Sequence, residues 1–299
     1  MASITEVPPP DFAPATGLRA GLRRLPSPIL AWPLLMILGF VAFPLFLLFR
    51  VSVANRDPAA YEGTGFTLNG FAQLAQPMVL NAIGFSVTLS LIVAGISIAI
   101  AFPATYFITR LSRTAQIAWL IAFLSTLALS EVLITFSWQI ILSKRAGLSN
   151  ILVFLGIFEK SVSLAPSFGA VVACIVYVVI PFNFMTLYPG LSRLDPSYLE
   201  AARTLGARPS RAFVGVLLPL MRKPIATAFL TTVVMTIGAY VAPMVLGGPA
   251  NWTIGVVISE VAMTGQNLPL AAAIAVLLML VSAALVVSIG RIGGKGYTS

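Results

Sequence analysis

Glu200-Ala201-Ala202-Arg203-Thr204-Leu205-Gly206, running on through Val216 to Leu218-Pro219, is the one long polar segment of this chain that is flanked on both sides by membrane-grade apolar sequence. It carries its own helix punctuation. Asp195 is a favourable N-cap, and Pro196 fits a first helical position, where its missing N–H is no loss. Gly206 falls where a helix needs a residue that tolerates the left-handed region. These bounds predict a helix of about two and a half turns, with Leu199 and Ala202 three apart on one face. Ala201 and Ala202 have almost no side chain, so an exposed helix carrying both can lie close against the backbone of another protein. A second short helix is predicted from Pro209 to Leu218, and Pro219 and Pro224 punctuate the run before the next apolar segment.

Around this stretch the composition sets the class. The chain has 59% hydrophobic and 9% charged residues, against about one quarter charged in soluble domains, and a mean hydropathy of +0.99. It is an integral membrane protein. One cysteine, Cys174, excludes an internal disulfide framework and a multi-cysteine metal site, and its apolar surroundings suggest packing. The absence of histidine removes the commonest general base and metal ligand, and with them most hydrolase mechanisms. The formal charge of +9 would suggest nucleic acid in a soluble protein. Here its distribution along the loops reads as positive-inside topology, with a lipid bilayer and no nucleic acid as the surroundings.

Residues 1–28 are polar and proline-rich and hold a basic cluster, Arg19, Arg23 and Arg24. They read as a tail and not as a cleavable signal, because the apolar run that follows is long enough to span and lacks a small-residue cleavage site. Apolar runs lie at about 29–53, 79–108, 115–142, 166–187, 225–245 and 270–289. Each reaches about twenty residues, enough to cross about 30 Å of hydrocarbon. Pro33 and Pro44 are places where the first can bend, and Pro181 interrupts the fourth. The second is rich in Ser86, Ser90, Gly95 and Ser97, small residues that let membrane helices approach closely. A polar loop after the first run carries a predicted short helix near 69–76. The stretch between the fifth and sixth runs reads as the turn Gly247-Gly248-Pro249 and a semi-polar segment to Pro269.

The predicted fold is therefore an all-α membrane protein with six transmembrane helices over 29–291, a polar loop at 190–223 and a short C-terminal tail, 292–299. Six spans put both termini on one side. That side carries Arg19, Arg23, Arg24, Arg110, Arg113, Arg193, Arg203, Arg208, Arg211, Arg222, Lys223, Arg291 and Lys295; the other carries Arg50, Arg56, Lys144, Arg145 and Lys160. Thirteen basic residues against five predict that both termini and the 190–223 loop are cytoplasmic.

The spacing of the opening stretch resembles the EAA loop of ABC importer permeases: Glu-Ala-Ala, three residues, Gly, nine residues, Ile, one residue, Leu-Pro. Here it reads Glu200-Ala201-Ala202, Gly206, Val216, Leu218-Pro219, with Val216 in place of the usual Ile. An amphipathic helix that only lies on the membrane is the plainer alternative. Taken whole, roughly 30–291 resembles a permease of the spermidine/putrescine type. The supporting blocks are Pro181-Phe182 with Tyr188 and Leu191, Ala239 to Pro249, Asn267 to Ala273, and Gly147 to Gly156 with Asn150. That group often has an Arg where this chain has Ile134, and Phe136 and Ser137 replace Tyr and Ala beside a retained Trp138. The solute is thereby left open among polyamines, amino-acid derivatives, other amines and small anions.

The resemblance implies a type I ABC importer (MetI-like) permease fold in a bacterial inner membrane. It also implies a second permease chain, related or identical, two ATPase subunits beneath and a periplasmic substrate-binding protein outside. Asp195, Glu200, Ala201, Ala202, Arg203, Leu205 and Gly206 would then couple to the ATPase, with Arg203, Arg208 and Arg211 available for charge pairing. This chain would bind no cofactor and catalyse no reaction; ATP and Mg²⁺ would sit on the ATPase, since no Gly-x-x-x-x-Gly-Lys-Ser/Thr loop occurs here.

Glu131 is the only acidic residue inside a predicted span. A carboxylate in hydrocarbon is expensive, so it either faces an aqueous translocation path, where it would attract a cation, or lies near a span end and meets water. Ser137, Trp138, Tyr177, Asn183 and Tyr240 are candidate path-lining groups. Each can hydrogen-bond a polar solute, and the aromatics can hold ammonium groups at about 0.5–2 kcal/mol each. Helix packing is the plainer role for each. Trp252 and Glu260 fall in the predicted external segment, where Glu260 can meet a binding protein or only solvent. An ion-coupled secondary transporter is the rival reading, but it should show intramembrane ionisable pairs and internal repeats. A membrane enzyme lacks a visible nucleophile–base or metal-ligand set.

Overall fold

Apolar composition over more than thirty residues, broken by no charge, makes the longest helix of this protein, Pro77–Thr109 (α3). The computed structural model describes residues 28–57, 60–144, 147–156 and 159–294. The N-terminal tail with Arg19, Arg23 and Arg24, the loop residue Arg145 and the C-terminal Lys295 lie outside the described residues. The chain divides into two units, one ending at Leu47 and one beginning at Leu48. The described residues of the first are the greater part of helix α1 (Pro28–Ser52), one helix that continues through Pro33 and Pro44.

In the second unit an antiparallel hairpin follows, β1 (Asn55–Asp57) paired with β2 (Ala60–Thr64) in the register Asn55↔Thr64 and Asp57↔Ala60. The polar stretch expected as a loop is therefore partly a small sheet. The predicted short helix is present as α2 (Asn69–Ala72) and a 3₁₀ turn, Gln73–Ala75. After α3 come α4 (Arg113–Leu127), α5 (Glu131–Ile141), α6 (Leu148–Phe154), α7 (Phe168–Ser192) and α8 (Ser197–Thr204). Helical turns Pro209–Leu220, with a π-helical stretch at Phe213–Leu217, lead into α9 (Arg222–Ile237). A second π-helical stretch, Pro243–Gly247, precedes α10 (Ile254–Met263) and α11 (Leu268–Gly294).

Among the described residues four helices are long and apolar enough to span: Leu35–Ser52, α3, α7 and Leu268–Gly290. Two helix pairs are long and apolar enough only when taken together, and each is bent, α4 with α5 at 93° and Pro209–Leu220 with α9 at 73°. Counting each pair as one span gives six. The third span, expected as one run over 115–142, is thus two helices. The chain leaves α4 at Ala128 and re-enters a helix after Ser130, whose extended backbone (φ −65°, ψ 131°) turns the axis. The fifth, expected to reach 245, stops at Ile237, where Gly238 ends the helix. Pro181 and Pro189 do not interrupt α7, which continues past both. The segment expected as semi-polar external loop holds α10, which packs on α3 and α11.

The centre of the second unit is α3 against α7 and α9. Ser86, Ser90, Ala94, Ser97 and Ala101 form a buried stripe of small residues along α3 at helical spacing, which lets the neighbouring backbones close in. Gly95, expected on that face, is exposed instead. The buried hydroxyls stay satisfied within the helix: Ser90 donates to Val87 O, Ser97 to Ala94 O and Thr105 to Ala101 O. Packed apolar clusters mark the two ends of α3. At its C-terminal end Phe102, Leu187, Leu191, Leu199, Leu217 and Met221 meet, so α8 belongs to that end. At its N-terminal end Val79 and Ala82 meet Ile254, Val257 and Ile274.

Candidate functional site

Helix α8 is built as its local signals require. Asp195 Oδ1 accepts from Ser197 N at 2.9 Å, which satisfies a backbone N–H free at the start of α8, and this bond holds the Asp195 carboxyl below the usual carboxylate range. Because the folded value is depressed, that contribution is present above the ordinary carboxylate range and is lost as pH falls through the lowered value. At the other end Gly206 has φ +83°. Its N–H meets Arg203 O at 2.9 Å and Ala207 N–H meets Ala202 O at 3.0 Å, the paired bonds of a left-handed helix stop.

The faces of α8 divide unequally. Leu199 is buried and Ala202 half-buried in the cluster with Phe102, Leu217 and Phe213. Ala202 is therefore part of the bundle and not of the exposed surface, contrary to the expectation that both alanines face a partner. The outer face carries Tyr198, Ala201 and Leu205, spaced by three and four, with Leu205 89% exposed. Glu200, Arg203, Arg208 and Arg211 are exposed around it. The result is a short, rigidly seated lever with an apolar outer stripe and a charged margin.

The second locus lies at the break after α9. Glu131, the first residue of α5, and Tyr240 line a cavity of about 240 Å³ together with Val178, Met235 and Gly238. The carboxylate is exposed at a helix start and faces this hollow. Backbone at Gly238–Tyr240 is not helical, and side chains stabilise it. Thr253 Oγ1 donates to Ala239 O, Ser259 Oγ donates to Tyr240 Oη at 3.5 Å, and Ile254 N donates to Ser86 Oγ at 2.8 Å. A Cβ on Gly255 would meet Gly238 O at 2.7 Å, so only glycine lets α10 start this close to the break. Sequence reasoning missed this break as a lining element; Gly238 and Pro243 were the available signal.

The other candidates fall apart from it. Trp138, about two turns along α5 from Glu131, makes an edge-to-face pair at 6.1 Å with Tyr177 of α7. Ser137 is exposed, with its hydroxyl donating to Leu133 O at 2.8 Å. Asn183 is not a lining residue in this structure. It is 1% exposed, its amide nitrogen donates to Ser97 Oγ at 2.9 Å and its oxygen accepts from Thr232 Oγ1 at 2.9 Å. It ties α3, α7 and α9 together. Replacing it, Asn183→Leu, leaves the buried Thr232 hydroxyl without its acceptor and takes the amide donor from Ser97 Oγ, and should cost about 1–2 kcal/mol. A lowered unfolding midpoint of the detergent-solubilised protein, with Asn183→Gln in parallel, measures this.

The chain has relatives among known proteins. A family described as "Binding-protein-dependent transport system inner membrane component" matches residues 97–293. The chain belongs to this family. It is the permease component of an ABC importer, a multi-pass inner-membrane protein. It is 26% identical over 242 residues to the spermidine/putrescine transport system permease protein PotB of Salmonella typhimurium (strain SL1344), covering 81% of this permease and 84% of that protein. Two solved structures share the fold. One is a bacterial ABC transporter involved in the import of the acidic polysaccharide alginate, with TM-score 0.67, 18% identity and 90% and 96% of the two chains covered. The other is a bacterial alginate ABC transporter in complex with alginate pentasaccharide-bound periplasmic protein, with TM-score 0.66, 17% identity and 89% and 93% covered. The type I permease fold expected from the opening stretch is thereby found.

Proposed function

We propose that this permease forms half of the solute path of an ATP-driven importer of polyamines or closely related small cations, and that separate ATPase subunits move it through α8. The observation that carries the coupling is the seating of α8. Its inner face is locked into the bundle by Leu199 while Tyr198, Ala201 and Leu205 stand outside. A push on that face moves the helices it is seated in, not α8 alone. Residues Asp195, Glu200, Ala201, Arg203, Leu205 and Gly206 serve this contact, and Ala202 serves the seating. ATP and Mg²⁺ are held by two ATPase subunits on the cytoplasmic side, where the excess of basic residues also sets both termini.

The solute reading rests on the polyamine-system relatives and on the cavity chemistry. A carboxylate, Glu131, beside a phenol, Tyr240, and a broken helix end suits an ammonium group. The Trp138–Tyr177 pair adds aromatic faces, Trp138 from the helix that Glu131 begins and Tyr177 from α7. A periplasmic binding protein delivers solute to the outer mouth, and a second permease chain, related or identical, closes the path. Net movement follows because solute has different affinity for the outward-open and inward-open states.

The test is uptake of spermidine into liposomes holding the assembled complex, with loaded binding protein outside and ATP inside. Uptake is expected only with the ATPase subunits present and ATP supplied. Uptake by this chain alone under an ion gradient would overturn the reading.

A further inference from the structure

No residue of α4 is buried, yet the helix leads through the 128–130 bend to Glu131. What holds it is concentrated in one face. Trp119 stacks on Phe123 at 5.8 Å, Phe123 on Phe184 of α7 at 4.3 Å, and Phe184 on Tyr188 at 5.5 Å. The ladder ends in a polar knot. Tyr188 Oη donates to Gln116 Oε1 at 2.9 Å, across 72 residues of sequence. The Gln116 amide nitrogen donates to Thr109 O at 3.1 Å and to Leu111 O at 2.9 Å, carbonyls left without helical partners where α3 ends. One side chain on α4 thus engages α3 and α7 at once.

The placement of this knot matters more than its strength. Tyr188 lies one turn before α7 ends at Ser192, and the chain reaches Asp195, at the start of α8, three residues later. Gln116 lies in the first turn of the helix that delivers Glu131. We infer that the Tyr188–Gln116 pair is the positioning contact through which movement of the lever reaches α4 and, through the bend, the acid at the cavity. This rests on the proposed ATP-driven function. Without the pair, α7 can follow the lever while α4 lags, because the Phe123–Phe184 ring contact between them is apolar and can slide.

The experiment compares Tyr188→Phe, Gln116→Met and the double variant in the full complex, reading spermidine taken up per ATP hydrolysed. Tyr188→Phe removes one hydroxyl and keeps the ring on Phe184; retention of the ATPase on co-purification checks assembly for each variant. Each single variant is expected to lower the uptake-to-hydrolysis ratio at least threefold with hydrolysis maintained. The double variant is expected to match the worse single one, because both remove the same contact. An unchanged ratio in Tyr188→Phe, or losses that multiply in the double variant, would overturn the inference. Failure of the wider reading looks different: the unmodified complex would then show no ATP-dependent uptake at all.

Discussion

Glu200→Arg is expected to reduce ATP-driven uptake by more than about tenfold while the chain still inserts in the membrane and keeps its fold. The magnitudes separate these outcomes. Glu200 is exposed in the first half of α8, where a carboxylate gains only about 0.3–1 kcal/mol from the helix dipole. Losing that cannot unseat a helix held by Leu199 in a packed cluster. A reversed charge pressed against a partner's complementary surface costs several kcal/mol, and tenfold needs only about 1.4 kcal/mol. Gly206→Asp tests the same contact from the other end. There is room for a side chain at Gly206, but its φ of +83° strains an L residue, and a carboxylate opposes the helix C-terminus. The last turn with Leu205 should loosen, and uptake should fall while hydrolysis by the ATPase runs uncoupled. Both variants are read by uptake and hydrolysis in the same liposomes, with membrane insertion followed by fractionation. Full uptake in Glu200→Arg would show that this face meets no partner.

Glu131→Gln is expected to cut the uptake rate of spermidine about tenfold at saturating loaded binding protein. The substitution keeps size and hydrogen bonding and removes only charge. A carboxylate and an ammonium 4 Å apart at an effective dielectric of 20 attract by about 4 kcal/mol, and exposure of Glu131 discounts this to a fraction. A fraction near one third is already tenfold. Assembly and basal hydrolysis should not change, since Glu131 has no structural hydrogen bond in which its side chain holds another helix. Equal spermidine uptake by Glu131→Gln and the unmodified complex would remove the acid from the path.

Much of the lever was legible because its signals are local. Asp195, Pro196 and Gly206 act on backbone groups within three residues of themselves, so their effect can be read without neighbours. The break in the third span was also locally signalled: Ser130 followed by Glu131 is a helix-start pattern lying inside an apolar run. Its apolar flanks concealed it. Asn183 illustrates the opposite case. Its amide suits a solute as well as a helix interface, and only the arrival of Ser97 and Thr232 from 86 and 49 residues away assigns it to packing.

Composition alone determined that the protein lives in a bilayer, and about twenty positions in order, Glu200 to Pro219, pointed to the permease family to which it belongs. Backbone capping and bulk hydropathy are properties of neighbouring residues, so no partner element is needed to read them. Tertiary structure decided which alanine of the pair faces inward, that Ser86 caps Ile254 N across 168 residues, and that Glu131 shares a cavity with Tyr240. Facing and juxtaposition depend on how whole helices seat against one another, and in an apolar chain nearly every helix face is equally able to be buried.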